Sequence, residues 1–103
     1  MNYTIKPYIH NEEEKFTTLF TEIHKFSIED LNLAIEEIDN VFSGKYELSS
    51  INGDVVSSIE FDKDKAVITY YGEKISEEPT QGIYKMLTDY RDALNYYEAN
   101  NSI

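Results

Sequence analysis

The chain has 103 residues, which is enough for one domain of ordinary size, 1–103, and too few for two. Its 41% of apolar residues excludes disorder along most of the chain, and the absence of cysteine excludes disulfide bonds, thiolate metal sites and a cysteine nucleophile. The formal net charge of −11 disfavours binding to nucleic-acid phosphates or to an anionic membrane surface and favours a basic partner.

The first 26 residues fit two interpretations. A helix is favoured by a capping-box pattern at 11–14 and by four apolar residues at positions i, i+3, i+4 and i+7. These four are Phe16, Leu19, Phe20 and Ile23. A β-hairpin with its turn at 11–14 is favoured by nearby threonines and by the absence of a glycine before the next predicted helix. We choose the hairpin, which would place Ile9 opposite Phe16 and Ile5 opposite Phe20.

Residues 27–44 predict an amphipathic helix. Its apolar residues recur at helical spacings and form one stripe: Ile28, Leu31, Ile35, Ile38 and Phe42. Ser27 is a suitable N-cap, and Gly44 supplies the left-handed residue that commonly ends a helix. The segment carries five acidic residues and no basic one, and Glu29, Glu36 and Asp39 fall on the side away from the stripe. The helix should therefore present a row of carboxylates.

The apolar period changes to two after this helix, which predicts an antiparallel meander of three strands. The strands are 45–51, 54–61 and 66–72. Asn52-Gly53 has the residue types of a two-residue type I′ turn and would place Tyr46 opposite Ile59. A second turn at 62–65 would place Ile59 opposite Ile68 and Phe61 opposite Ala66. Both registers put Ile59 on the packed face of the sheet.

The chain should end in a second long amphipathic helix. Residues 72–78 predict an irregular acidic link, and Pro79 with Thr80 marks the start of a helix of about 20 residues. Its stripe consists of Ile83, Leu87, Tyr90, Leu94 and Tyr97. The predicted order is β, β, α, β, β, β, α, an α+β fold in which an antiparallel sheet carries two amphipathic helices on one face.

Residues suited to catalysis or metal binding are sparse. His10 and His24 are the only histidines, and no serine stands in the glycine elbow that a nucleophilic hydrolase requires. Asp62 and Asp64 share a turn but lack the glycine and the closing glutamate of a calcium loop. We therefore expect no enzyme activity, no cofactor and no metal site.

Nine tyrosines in 103 residues form the other unusual feature. Several fall on packed faces, but Tyr71, Tyr84 and Tyr96 do not. Aromatic side chains surrounded by acids suit the recognition of arginine or lysine. A tyrosine-rich proteome would give the same composition, so a contact surface and simple composition are alternative explanations.

One stretch of the chain resembles a known class of protein. The segment Ser27-Ile28-Glu29-Asp30-Leu31, continued through Ala34-Ile35-Glu36-Glu37-Ile38 to Ser43-Gly44-Lys45 and followed by a meander and a terminal helix, resembles small bacterial immunity proteins. These are the antidotes of polymorphic or contact-dependent growth inhibition toxins. The resemblance spans about residues 16–97 and concerns layout, acidity and element order. It implies a cytoplasmic protein that binds and blocks one toxin domain, often a nuclease.

The expected partner is therefore a cognate basic toxin domain, and neither nucleic acid nor a membrane. A nuclease active site is basic because it holds phosphates, so carboxylates and tyrosines can occupy it or lie beside it. We expect the contact at Glu29, Glu36 and Asp39. Asp62, Asp64 and Tyr71 are second candidates.

Two other functions are compatible with the same residues. A nucleic-acid mimic of the anti-restriction or anti-CRISPR type would use the same acidic surface, and its gene would lie among phage genes instead of beside a toxin gene. An enzyme or small-ligand protein would need a concave pocket with convergent polar groups. The apolar runs are too short to span a bilayer and no signal-peptide pattern follows Met1, so we expect a cytoplasmic location.

Overall fold

The computed structural model describes residues 1–101, which form two antiparallel sheets and three helices. The elements in chain order are β1 (Tyr3–Ile5), β2 (Ile9–Asn11), α1 (Thr17–Ile23), α2 (Ile28–Phe42), β3 (Ser49–Asn52), β4 (Ser57–Phe61), β5 (Lys65–Tyr70), β6 (Glu73–Pro79) and α3 (Thr80–Asn101). A 3-10 turn at Glu14–Phe16 leads into α1. The predicted α+β class is confirmed, with an additional helix and an additional strand.

The first hairpin is shorter than predicted. β1 and β2 form a sheet of their own, with Ile5 opposite Ile9. The chain reverses at residues 6–8, which include the cis peptide bond between Lys6 and Pro7. The predicted turn at 11–14 and the pairing of Ile9 with Phe16 are therefore wrong.

Helix α1 and its 3-10 turn replace the second strand of the predicted hairpin. The four residues at helical spacing, Phe16, Leu19, Phe20 and Ile23, are each at most 2% exposed. Consecutive residues of a strand point to opposite faces, so a strand could not bury Leu19 and Phe20 in the same core. Burial of the whole stripe outweighs the strand preference of the threonines, which lie exposed on the outer side of the helix.

The connection from α1 to α2 is short and contains no glycine. The backbone N–H groups of His24, Lys25 and Phe26 donate to the carbonyls of Phe20, Glu22 and Ile23, respectively. These bonds tighten the end of α1 into a turn that needs no residue with positive φ. A missing glycine was therefore no evidence against the helix.

Helix α2 confirms the helix predicted for residues 27–44, but Phe42, which the pattern placed on the apolar stripe, is exposed. The Ser27 hydroxyl accepts a hydrogen bond from the backbone N–H of Asp30, and the Asp30 carboxylate accepts one from the Ser27 N–H, which completes a capping box. Gly44 follows the helix with a φ of +82°. The buried side of α2 consists of Leu31, Ala34, Ile35, Ile38 and Val41.

The second sheet has the strand order β3-β4-β5-β6. Between β4 and β5, Ile59 lies opposite Ile68 and Phe61 opposite Ala66, as predicted. Between β3 and β4 the predicted register is wrong, because Ile51 lies opposite Ile59 and the connection covers residues 53–56. Asn52-Gly53 therefore does not form the two-residue turn. The carboxylate of Glu22 on α1 instead accepts hydrogen bonds from the backbone N–H groups of this connection.

Strand β6 replaces the predicted acidic link. The two-residue turn that precedes it is Tyr71-Gly72, and both residues have positive φ, +52° and +83°. Tyrosine is rarely found in this conformation, so the sequence does not suggest the turn. The β5 to β6 pairing shifts register between Ile68 and Thr69, which leaves Ile75 as the extra residue of β6.

The helices cover one face of the large sheet. On that face Ile51, Ile59, Ile68 and Ser76 lie side by side and are buried. The opposite face carries the exposed residues Ser50, Glu60 and Glu77. Helix α3 begins at Thr80, as predicted, and contributes Ile83, Met86, Leu87, Tyr90 and Leu94 to the same buried cluster as α1 and α2. Tyr97, which the pattern placed on the packed stripe, is exposed.

Candidate binding surface

The exposed side of α2 carries the three primary candidates. Glu29, Glu36 and Asp39 are all exposed, and the geometry of an α-helix puts Glu29 and Glu36 two turns apart on its outermost side. Leu33 lies between them and is 57% exposed. Because α2 begins with a capping box and ends at Phe42, just before Gly44, these side chains project from a helix with defined ends.

Asp39 lies on the side of α2 that faces α3. A hydrogen bond with Asp39 raises the pKa of the Tyr84 hydroxyl. Burial of the hydroxyl and the negative charge of Asp39 raise this pKa further. The ring of Tyr84 lies 5.5 Å from that of Phe42, between ring centroids. Further along the same seam, Arg91 Nη1 donates to Asn32 Oδ1 at 3.1 Å. The seam therefore places aromatic surface and one cation, that of Arg91, beside the acidic row.

Asp62 and Asp64 lie in the turn between β4 and β5, and they have different roles. Asp62 Oδ1 accepts hydrogen bonds from the backbone N–H groups of Asp64 and Lys65, both at 2.7 Å. The bonds from Lys65 and then Asp64 lower the pKa of Asp62. The Asp62 carboxylate thus builds the turn, whereas the Asp64 side chain is exposed. The turn also holds the start of α3, since Thr80 donates from Oγ1 to the Asp62 carbonyl and from its N–H to the Asp64 carbonyl.

Tyr71 is displayed on a fixed turn. Its side chain is 84% exposed, and its backbone N–H donates to the Val56 carbonyl at 3.1 Å. Val55, in the loop beside it, is 74% exposed. A non-glycine residue at positive φ raises the energy of the folded state, and such positions occur often where a side chain must be presented in one direction.

The six predicted residues do not form one patch. Asp62 and Asp64 line a hollow at the C-terminal end of α2, together with Val41, Gly44 and Lys63. Tyr71 follows the opposite end of β5 from the Asp62 turn. The row and the aspartate turn can therefore contact one partner together more readily than either can with Tyr71.

Glu22 on α1, which is not among the residues predicted from the sequence, has a carboxylate that is held by several backbone N–H groups. Its side chain is buried, and the residue is 4% exposed. Glu22 Oε1 accepts hydrogen bonds from the backbone N–H groups of Val55 (2.7 Å), Val56 (3.1 Å) and Ser57 (3.2 Å). No local pattern indicates this role, because the partners lie 33 to 35 residues away in the chain.

The charge of Glu22 is stabilised by this loop. Burial raises the pKa of the carboxyl group, but the hydrogen bonds from Val55, Ser57 and Val56 together lower it below its ordinary value. Gly53 lies next to the Glu22 carboxylate, and its N–H donates to the Ser57 carbonyl at 2.7 Å. A Cβ at Gly53 would overlap Ser57 Oγ and the Glu22 carboxylate.

The two histidines come together near the first hairpin. The rings of His10 and His24 lie 5.6 Å apart in an edge-to-face arrangement, and His24 Nε2 is hydrogen-bonded to the carbonyl of Ile9. Within residues 1–101, no group of three or more histidine, aspartate or glutamate side chains is placed to hold a metal ion. In the same part of the chain, no helix is both long enough and apolar enough to cross a bilayer.

Comparison of this chain with protein-family models, with curated proteins and with solved structures finds no match.

Proposed function

We propose that this protein acts by binding, as an immunity protein that neutralises a cognate bacterial toxin domain with a basic active site, such as a nuclease. The observation that carries the proposal is the exposed side of α2. Residues 27–44 contain five acids and no base, and Glu29, Glu36 and Asp39 project from a helix that is capped at its start.

The carboxylates and the apolar groups of this surface have separate tasks. A single-signed row of charges speeds the encounter with a basic protein, and this effect weakens as salt is added. Leu33, Phe42 and Tyr84 lie beside the row, and their partial burial under a partner would slow dissociation. Because α2 is rigid, little conformational entropy is lost when it binds.

The secondary contacts differ in how directly they can take part. Asp64 has an exposed carboxylate in the hollow at the C-terminal end of α2, so a partner that covers this end of the helix can also contact it. Asp62 supports that position through the turn, and replacing it would affect binding through the shape of the turn. Tyr71 is remote from the row and would contact a partner that also covers the end of the sheet.

The test is co-expression with the toxin domain encoded beside the gene, followed by growth and binding measurements. The double variant Glu36→Lys, Asp39→Lys should lose protection, bind about tenfold more weakly or worse, and show a flatter dependence of affinity on salt. The matched control is Glu12→Lys, Glu73→Lys, which changes the net charge equally at exposed positions away from α2. Equal loss in both double variants would indicate a general charge effect and contradict the role of α2.

A further inference from the structure

The two edge strands of the large sheet are protected to different degrees. β6 carries Glu73, Lys74, Glu77 and Pro79 and is interrupted by its register shift, all of which discourage pairing with another strand. β3 has the sequence Ser-Ser-Ile-Asn and carries none of these features. An edge of this second kind is available for pairing with an extended chain.

The backbone of β3 is directed correctly for such pairing. Gly53 N–H donates to the Ser57 carbonyl, which fixes the alternation of the ladder between β3 and β4. It follows that Ile51 exchanges its backbone hydrogen bonds with Ile59. Ser50 and Asn52 flank Ile51 along β3 and have the opposite orientation. They must therefore direct their N–H and C=O groups away from β4. Both residues are exposed.

A hollow lies on each side of this edge. The helix-side hollow is lined by Phe26, Asp30, Leu33 and Glu37 together with residues 50–54 of β3 and its loop. The open-face hollow is lined by Leu48, Glu60, Val67 and Ser50 among others. Because side chains alternate along a strand, a strand added to β3 would send them in turn into the two hollows.

The charges of the hollows define what the added strand must carry. In the helix-side hollow Lys25 is paired with Asp54 at 3.1 Å, which leaves Asp30 and Glu37 as the excess charge. The open-face hollow is lined by Glu60, Asp62 and Lys65 as well, and its exposed Leu48 and half-buried Val67 offer apolar contact. A second copy of this chain, itself at −11, would bring acids against acids. The occupant is therefore a different and basic chain.

We propose that the β3 edge is a strand-addition site for an extended segment in which lysine or arginine alternates with aliphatic residues. The basic side chains point toward Asp30 and Glu37, and the aliphatic ones toward Leu48 and Val67. This inference rests on the proposed function, because it assigns the segment to the toxin. It adds a directional main-chain contact beside the acidic row of α2.

A peptide experiment tests the site without the toxin. The isotopically labelled full chain is titrated with blocked Lys-Val-Lys-Val-Lys-Val and with the control Lys-Pro-Lys-Pro-Lys-Pro, which has the same charge but no N–H for pairing at alternate positions. With the first peptide, amide exchange at Ser50 and Asn52 should slow by about tenfold at saturation, and with the second it should not change. Equal effects of both peptides, or changes centred on Glu29 and Glu36, would overturn the proposal.

Variants of the edge provide the matched controls. Ser50→Pro removes one outward N–H, whereas Ser50→Ala keeps it, so only the proline variant should lose binding of the valine peptide by about tenfold. Glu37→Lys is a second variant that keeps the β3 backbone intact and places a positive charge in the helix-side hollow, where it repels the lysine side chains of the peptide. Retained binding in Glu37→Lys, with the fold verified by amide protection at Ile51, would contradict the assignment.

Co-expression with the toxin separates this inference from the proposed function. Loss of protection in folded Ser50→Pro, with protection kept in Ser50→Ala, supports strand addition. Full protection by folded Ser50→Pro overturns strand addition and leaves binding through α2 unaffected. If the unmodified chain gives no protection, the proposed function is wrong and the peptide measurement alone decides the nature of the β3 edge.

Discussion

The carboxylate of Glu22 and the carboxylates on the outer side of α2 lie in contrasting surroundings. Glu22 is 4% exposed and accepts three backbone N–H groups of the loop at 53–57, whereas Glu29 and Glu36 are exposed to water. A buried charge is tolerated only when it is fully hydrogen-bonded, while an exposed one contributes little to folding. The comparison indicates that this acidic chain uses one carboxylate to fix its shape and leaves others exposed at its surface.

The largest expected change in the free energy of unfolding comes from removing the buried carboxylate of Glu22. Glu22→Ala leaves the N–H groups of Val55, Val56 and Ser57 without their acceptor, so the free energy of unfolding should fall by roughly 2 to 4 kcal/mol. Glu36→Ala, at an exposed site of α2, should change it by less than about 0.5 kcal/mol. Chemical denaturation of both variants measures the difference. Similar losses in the two would mean that burial does not separate these carboxylates.

A smaller loss is expected from crowding the same site. Gly53→Ala places a methyl group against Ser57 and the Glu22 carboxylate, and the free energy of unfolding should fall by roughly 1 to 3 kcal/mol. Gly82→Ala is the matched control, because nothing lies within 4 Å of its added Cβ and the residue is inside α3. The control should stabilise the protein by about 0.5 to 1 kcal/mol. Thermal unfolding of the two variants should therefore shift in opposite directions.

The smallest of the three effects is in the pH dependence. The pKa of Glu22 is lower in the folded chain than its ordinary value of 4.5, so its charge stabilises the fold above that pH. This contribution is lost as pH falls through the lowered pKa. Glu22→Gln removes the titration, so the difference in stability between the unmodified protein and this variant should shrink on acidification. A difference that stayed constant from neutral to strongly acidic pH would contradict the role of the ionised carboxylate.

The parts of the fold that the sequence predicted correctly are those set by local patterns. Ser27, Gly44 and the apolar stripe between them are sufficient to define α2, and the turn at 62–65 is sufficient to define the register of Ile59 against Ile68. The apolar spacing of Phe16, Leu19, Phe20 and Ile23 indicates α1, and burial of these residues outweighs the preference of the neighbouring threonines for strands. The α+β class follows from these elements, whichever interpretation of the first 26 residues is chosen.

The incorrect predictions, for the register of β3 and for β6, have physical causes that short stretches of sequence do not reveal. The register of β3 depends on Glu22, which is distant in the chain, and β6 depends on a tyrosine in a conformation that glycine or asparagine usually adopts. For the candidate surface, helical periodicity correctly indicated that Glu29 and Glu36 are exposed. It could not indicate that Asp62 forms a turn, or that the β3 edge is open between two hollows.

The link between Glu22 and the loop at 53–57 also has an evolutionary consequence. Positions 22 and 53 constrain one another through space, since the carboxylate fits only where position 53 has no Cβ. Among homologous chains, substitutions at these two positions should therefore occur together. Lineages that replace the acid should also be free to replace the glycine, whereas the exposed residues on the outer side of α2 are under no such constraint from the fold.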